Sequence, residues 1–183
     1  MAIASLGKYY DQVAAGNVFI GSTAAAGVAY PISTGTAVTF AVWNTSSNMN
    51  AVLLRMNVGY TSGTIALGEI GIANQNVGDT GGATGNPLAA YTAGTAKNAL
   101  LGRGKASSMT FIPATATLTA GGTACYWTGF SIESATAGLG IFNAGIDLDG
   151  ALVVTPGQIA FLCGSVAQTG LFTASMMWAE VPA

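Results

Sequence analysis

The chain has 183 residues, of which only 7% are charged, and its formal net charge is −2. A soluble protein usually carries about 25% charged residues, so five cations and seven anions cannot cover the surface of a free domain in the usual way, and we expect a chain that works inside an assembly. The sequence pI of about 4.7 and the scattered cations argue against nucleic-acid binding, which uses a basic stripe with aromatic residues.

Residues 1–35 predict an N-terminal arm or a first strand. No segment offers the roughly 20 predominantly apolar residues that a membrane span needs, so we expect no membrane partner. Lys8 to Asp11 place polar side chains where a signal peptide would have its apolar region. We therefore expect the chain to stay in the cytosol until it is assembled.

Three alternating runs follow. "VTFAVW" places Val38, Phe40 and Val42 on one face, and "VLLRMNVGY" places Arg55 and Asn57 on one face. The other face of the second run would have Val52, Leu54, Met56, Val58 and Tyr60. "TIALGEIGIA" changes phase near Gly68, which indicates a β-bulge. A period of two is typical of strands with one buried face.

Residues 74–108 do not follow the strand rhythm. This stretch is rich in Gly, Ala, Thr and Asn, and its second half contains Lys97, Arg103 and Lys105. A loop of this length within a compact domain is usually either functional or disordered. A solvated excursion stays open, but we favour an arm that packs on a neighbouring subunit, with these three cations as the candidate contact residues.

The remaining sequence predicts a hairpin and three further strands. In "TATLTAGGTACYWTGFSI", Gly121 and Gly122 would form a two-residue turn. Turn signals at residues 149–150, 156–157 and 168–170 separate the last strands. About eight short strands with turn signals between them indicate an all-β sandwich or barrel.

The sequence does not match the usual motifs of catalysis and metal binding. The chain has no histidine, so it contains neither a Ser-His-Asp nor a Cys-His apparatus, and we expect no enzyme activity, cofactor or zinc site. Cys125 and Cys163 lie in apolar runs, and we expect both as buried, reduced thiols. Asp147 and Asp149 could hold a surface calcium ion, although a type I′ turn fits them better. Asn44 begins a glycosylation sequon that matters only in a secreted protein.

The C-terminal pattern is a strand, then "TPGQIAFLCG", a turn of small residues, and "LFTASMMWAEVP". It resembles the C-terminal end of jelly-roll proteins of tailed-phage virions, whose fold is similar to that of the tumour-necrosis-factor family. The resemblance covers roughly the last 40 residues and the strand rhythm. It implies an antiparallel jelly-roll sandwich of about eight strands at residues 36–183, in which the last strand pair helps to close a trimer.

The same resemblance implies how the last two strands pack. One apolar row of the first strand would face one apolar row of the last, in the core or at a subunit interface. The residues concerned are Ile159, Phe161 and Cys163 on the first strand, and Phe172, Ala174, Met176 and Trp178 on the last.

We therefore expect a non-enzymatic virion structural protein, and most of all a decoration or cement protein that stabilises a capsid shell. Its partners would be further copies of itself, as a trimer, and the major capsid or other virion proteins, after assembly in the host cytoplasm. One alternative is a jelly-roll capsid, vertex or fibre-base subunit. Another is a secreted or cell-surface binding module, in which Asp147, Asp149 and Asn44 would gain a role.

Overall fold

The computed structural model describes residues 7–75, 87–102, 104–132 and 143–183. These residues form thirteen β-strands and one short helix, so the fold is all-β, as the sequence predicts. The number of strands exceeds the predicted eight because six of them have only two or three residues. The strands form three antiparallel sheets.

Sheet A has five strands. The second and third strands of its order pair along most of their length, with register shifts after Leu171 and after Met177 in the last strand of the chain. In spatial order the strands are β11 (Asn143–Val154), β4 (Met49–Ser62), β13 (Leu171–Pro182), β1 (Val18–Ser22) and β7 (Lys97–Asn98).

Sheet B also has five strands. Its first two strands are joined through an irregular ladder with two register shifts. In spatial order the strands are β10 (Gly122–Ile132), β5 (Gly68–Gln75), β12 (Ile159–Gly164), β3 (Ala41–Trp43) and β8 (Thr110–Ile112).

Sheet C is smaller and has three short strands. The helix α1 (Tyr10–Ala14) precedes β1 and buries none of its own residues. The strands of sheet C, in spatial order, are β2 (Ala37–Val38), β9 (Ala116–Leu118) and β6 (Leu88–Ala90).

The main core lies between sheets A and B. Trp178 is fully buried there, and its ring stacks at 6.2 Å on both Phe19 and Phe111. Phe172 and Met176 of β13 are also fully buried in this cluster. Burying an aromatic side chain of this size removes 150–250 Å² of surface from water, so this row of β13 is a main source of stability.

A second core lies on the other side of sheet B, beneath sheet C. Ile159, Phe161 and Cys163 of β12 belong to this second cluster, together with Leu118 of sheet C. The predicted packing of these three residues against β13 is therefore wrong. Ala160 and Leu162 face the main core instead. All six residues of β12 are buried, so the sequence has no polar residue to indicate which row faces which layer.

The predicted hairpin around Gly121 and Gly122 is also wrong. β9 pairs with β2 and β6, whereas β10 pairs with β5. A Cβ atom on Gly121 would lie 2.7 Å from the carbonyl oxygen of Thr34, and one on Gly122 would lie 2.4 Å from the ring of Phe161. These glycines therefore permit close packing between chain segments rather than a two-residue turn.

The turn predicted at residues 149–150 lies inside one strand. Asp149 and Gly150 have positive φ values of 50° and 79°, as the centre of a type I′ turn requires. However, β11 pairs with β4 on both sides of this point, and its register shifts between Asp147 and Leu152. The two residues lie within a wide bulge of four residues (148–151) in β11 and do not separate two strands.

Two of the predicted regions receive a definite place. The described part of residues 74–108 is not one loop, because it contains β6 and β7 and the end of β5. Within residues 1–35, β1 lies inside sheet A between β13 and β7.

Among the described residues, no helix has the length and apolar character that a membrane crossing requires.

Candidate interaction surface

The outer face of sheet A is mostly polar and partly buried where β4 and β13 lie side by side, and it includes the exposed Arg55, which pairs with Met177 and donates from Nε to Asn57 Oδ1 at 3.2 Å. Asn57 donates a hydrogen bond from Nδ2 to Ser175 Oγ at 3.3 Å, and Thr173 Oγ1 donates to the carbonyl oxygen of Gly59 at 3.3 Å. Met177 continues the same row and is partly buried. Alternation along both strands places these residues opposite the core row. We call Asn57, Gly59, Thr173, Ser175 and Met177 the polar face.

A cluster of charged and hydroxyl groups lies beside the polar face. The hydroxyl of Tyr9 lies 2.6 Å from Asp147 Oδ1 and 2.8 Å from Asp149 Oδ1. Lys8 forms ion pairs with both carboxylates. Arg55 stands opposite Asp147 in the register of β4 and β11. We call Lys8, Tyr9, Asp147 and Asp149 the latch.

The electrostatics of the latch make Tyr9 a hydrogen-bond donor. Burial, the hydrogen bond to Asp147 and the charge of that carboxylate raise the pKa of Tyr9 to about 12. Its hydroxyl therefore stays protonated at neutral pH. In return, the hydrogen bond from Tyr9 and the nearby charges of Lys8 and Arg55 lower the pKa of Asp147. Within the described residues, no group of three His, Cys, Asp or Glu side chains could hold a metal ion.

Two of the three predicted contact cations lie around a shallow depression of about 380 Å³. Lys97 is exposed on the short edge strand β7 and pairs with Ile20 of β1. Lys105 is exposed and donates to Asn17 Oδ1 at 3.1 Å. The third cation, Arg103, lies outside the described residues. The structure thus places Lys97 and Lys105 beside one edge of sheet A.

The buried carboxylate of Glu180 holds the neighbouring loop against the end of β13. Its side chain is 2% exposed and accepts hydrogen bonds from the hydroxyls of Ser107 and Ser108, both at 2.5 Å. The backbone N–H of Ser108 also donates to Glu180 Oε2 at 3.1 Å. Several donors on one carboxylate offset the cost of burying its charge.

Asn44, the first residue of the sequon, is fully buried. Its side-chain N–H groups donate to the carbonyl oxygens of Met49 and Val154, each at 2.8 Å, and its Oδ1 accepts from the backbone N–H of Ser46 at 3.0 Å. This amide therefore joins the end of β3 to two strands of sheet A and is not available for glycosylation in the folded chain.

The two cysteines differ. Cys163 is buried beneath sheet C, as predicted, but Cys125 is exposed on the edge strand β10. The prediction of two buried thiols is wrong for Cys125, because its residue lies at a register shift in the ladder with β5. Burial raises the pKa of Cys163 to about 12, and desolvation also raises the pKa of Cys125.

The latch and the Glu180 network were not predicted from the sequence. Tyr9 contacts carboxylates 138 and 140 residues further along the chain, and no local spacing indicates such a pair. A weak signal was present for Glu180, because it continues the inward row of Phe172, Met176 and Trp178. A charged residue in a buried row indicates a polar partner inside the fold.

Comparison with known proteins adds no relative. No protein-family model, no curated protein and no solved structure matches this chain at a significant level.

Proposed function

We propose that this chain is a non-enzymatic structural protein of a virus particle, a decoration or cement protein that stabilises a capsid shell as a homo-oligomer, most simply a trimer. The observation that carries the proposal is the polar face. Its five residues are uncharged and partly buried, they lie on the outside of the paired strands β4 and β13, and Arg55 is the charged residue that borders them.

Such a face suits a contact between subunits. The centres of protein interfaces are depleted of charged residues, and burying a polar group costs little when it keeps a hydrogen bond. Asn57 is already hydrogen-bonded to Ser175, and Thr173 to Gly59. A second subunit could therefore cover these groups without leaving them unpaired. The low charge of the whole chain supports the same interpretation.

Pairing through the sheet edges is a weaker route to assembly. The edge strands β10 and β11 both contain register shifts, and the opposite edges are formed by the short strands β7 and β8. Bulges, short strands and an edge lysine such as Lys97 are features that prevent edge-to-edge pairing. We therefore assign the subunit contact to the polar face.

We also propose that the sandwich is a jelly roll, which agrees with a virion role. Eight strands support this, of which β3 has only three residues, namely β1, β3, β4, β5, β10, β11, β12 and β13. Numbered from first to eighth, they form the spatial orders 6-3-8-1 in sheet A and 5-4-7-2 in sheet B. This interleaving of antiparallel strands between two sheets corresponds to two Greek keys.

The alternatives differ in what they explain. A capsid, vertex or fibre-base subunit would use the same polar face and would differ in its copy number in the particle. A secreted or cell-surface module drew its support from Asn44, Asp147 and Asp149. The described contacts engage all three within the chain, so no observation favours that alternative.

The oligomeric state and its dependence on the polar face test the proposal. We expect static light scattering to give a mass of about three times 18.2 kDa, and the protein to sediment with purified particles. Ser175→Lys should release folded monomers, because a charge placed in an interface centre is costly to desolvate.

The matched control is Thr117→Lys, which adds the same charge at an exposed position of β9 in sheet C. This variant should keep the parental mass. A stable monomer of the parent chain, or equal behaviour of the two lysine variants, would contradict the proposal.

A further inference from the structure

The segment before β1 is attached to the outside of sheet A by few contacts. Its described part consists of residues 7–16, which include α1, and we call these residues the strap. None of the residues of α1 is buried. An isolated helix shorter than about 12–15 residues is marginal in water, so five residues of helix depend on what holds them against the sheet.

Two sets of contacts hold the strap ahead of its last residue, Gly16. The first is apolar: Tyr9 and Val13 pack against Val18, Leu54 and Ala179, which form a small buried cluster on the outer face of sheet A. This cluster is separate from the main core between the sheets. Tyr9 and Val13 of the strap cover these three residues together with Val52, Ala99 and Met177.

The second set is the latch. The hydroxyl of Tyr9 and the ammonium of Lys8 bind Asp147 and Asp149 at the wide bulge of β11. The two carboxylates are about half exposed, so solvent and salt reach them. The bulge gives the latch its geometry, because the positive φ of Asp149 interrupts the regular strand beside Asp147.

The strap ends at a defined point. Gly16 has a φ of 72°, and its carbonyl oxygen accepts a hydrogen bond from Asn98 Nδ2 at 2.8 Å. The carbonyl oxygen of Asn17 accepts from the backbone N–H of Glu180 at 2.8 Å. From this residue onward the chain belongs to sheet A, so the strap can leave without disturbing β1.

We propose that residues 7–16 form a detachable strap whose release, by neutralisation of the latch carboxylates, uncovers the apolar cluster of Val18, Leu54 and Ala179. Release is a local opening that leaves the two main sheets intact. The inference concerns a conformational device of the fold and stands independently of the proposed function.

The charges around the latch define when it opens. Lys8 and Tyr9 approach Asp147 from the strap, Arg55 from β4, and Asp149 from β11 itself. These neighbours lower the pKa of Asp147. A carboxylate whose pKa is lowered in the folded state holds its partners when the pH is above the ordinary pKa of about 3.9. It loses them as the pH falls through the lowered pKa. The strap is therefore closed at neutral pH and opens in acid.

Hydrogen exchange of the full-length protein at neutral pH tests the proposal. The backbone N–H groups of Val13 and Ala15 are hydrogen-bonded within the strap and report on its opening. In Tyr9→Phe, and in Asp147→Asn, which imitates neutralisation, we expect these amides to exchange about five-fold faster or more, as the loss of one hydrogen bond to a charged group implies. The amides of β13 should keep the parental rate.

The matched control is Tyr10→Phe, which removes the hydroxyl of the neighbouring, half-exposed tyrosine and should leave the strap amides unchanged. The proposal is overturned if both tyrosine variants act alike, or if Tyr9→Phe leaves the strap amides at the parental rate. It is also overturned if the strap and β13 accelerate together, because the strap would then unfold only with the whole domain.

Discussion

The strands β12 and β13 show how differently two central strands of one sandwich can be packed. β13 alternates along most of its length between fully and partly buried residues, whereas every residue of β12 is buried. The reason is the third layer. Sheet C covers the outer side of β12 through Leu118 and its neighbours, while the outer row of β13 includes Ser175 and Met177 of the polar face.

The difference teaches that strands of sheet B, β12 among them, contribute side chains to two cores. Phe161 and Leu162 are neighbours in sequence, yet they belong to different clusters. A substitution in β12 therefore disturbs packing on whichever face it occurs. In β13, the inward row has this property along its length, and the outer row has it only at Ala179, which belongs to the small cluster with Val18 and Leu54.

The largest expected effects compare the two strands directly. Trp178→Ala on β13 and Phe161→Ala on β12 should each lower the free energy of unfolding by about 3–5 kcal/mol, because each removes a buried aromatic side chain and leaves a cavity. That is a large part of the ~5–15 kcal/mol stability of a typical domain. Urea denaturation followed by tryptophan fluorescence and circular dichroism measures both.

Ser175→Ala is the control for these two variants. Ser175 belongs to the outer row of β13, and its loss should change the free energy of unfolding by no more than about 0.5 kcal/mol. If Trp178→Ala melted like the parent protein, the inward row of β13 would not be the core row. If Phe161→Ala were silent, sheet C would not form a true third layer.

The sequence predicts the strands better than it predicts their neighbours. Alternation located β4 and β13, because polar residues such as Arg55 and Ser175 separate their apolar residues. In β4 it placed Leu54 in the core row, which is wrong, because the register shift puts Leu53 in the main core and Leu54 in the outer cluster. Alternation could not orient β12, since "IAFLCG" contains no polar side chain. Fully buried strands lose the period of two that reveals a face.

Glycine and acidic pairs were the second source of error. Gly121 and Gly122 have the sequence of a turn, but their lack of side chains serves close contacts with Thr34 and Phe161. Asp149 and Gly150 do adopt the φ values of a turn, yet they lie within one strand. Local sequence predicts backbone conformation at such sites, while only the tertiary fold decides what the conformation is used for.

A smaller effect on the free energy of unfolding is expected at the end of the inward row of β13, where the apolar row ends in the charged residue Glu180. In Glu180→Gln, an amide N–H₂ group would face the hydroxyls of Ser107 and Ser108, which donate to the carboxylate. Losing hydrogen bonds to a buried charged group should lower the free energy of unfolding by about 1.5–3 kcal/mol, which the same urea denaturation measures.

Glu69→Gln is the matched control for this variant. Glu69 is only partly buried, and it accepts one hydrogen bond, at 2.8 Å, from the backbone N–H of Gly129. A neutral amide oxygen can replace that acceptor, so the cost should stay below about 1 kcal/mol. Equal costs for the two variants would indicate that the end of β13 is open to water.

The smallest expected effect concerns reactivity and compares the outer face of β12 with the edge of the same sheet. Cys163 lies beneath sheet C and Cys125 lies at the surface of β10. At pH 8 a thiol reagent should modify one cysteine in the native protein, and this fast phase should vanish in Cys125→Ser. This modification should be slower than for a free thiol, because desolvation raises the pKa of Cys125 and the thiolate is the reactive form.

Cys163 should react only after denaturation, without prior reduction, since burial raises its pKa to about 12. Rapid modification of both thiols in the native protein would mean that sheet C does not seal the outer face of β12, and the contrast between β12 and β13 would then disappear.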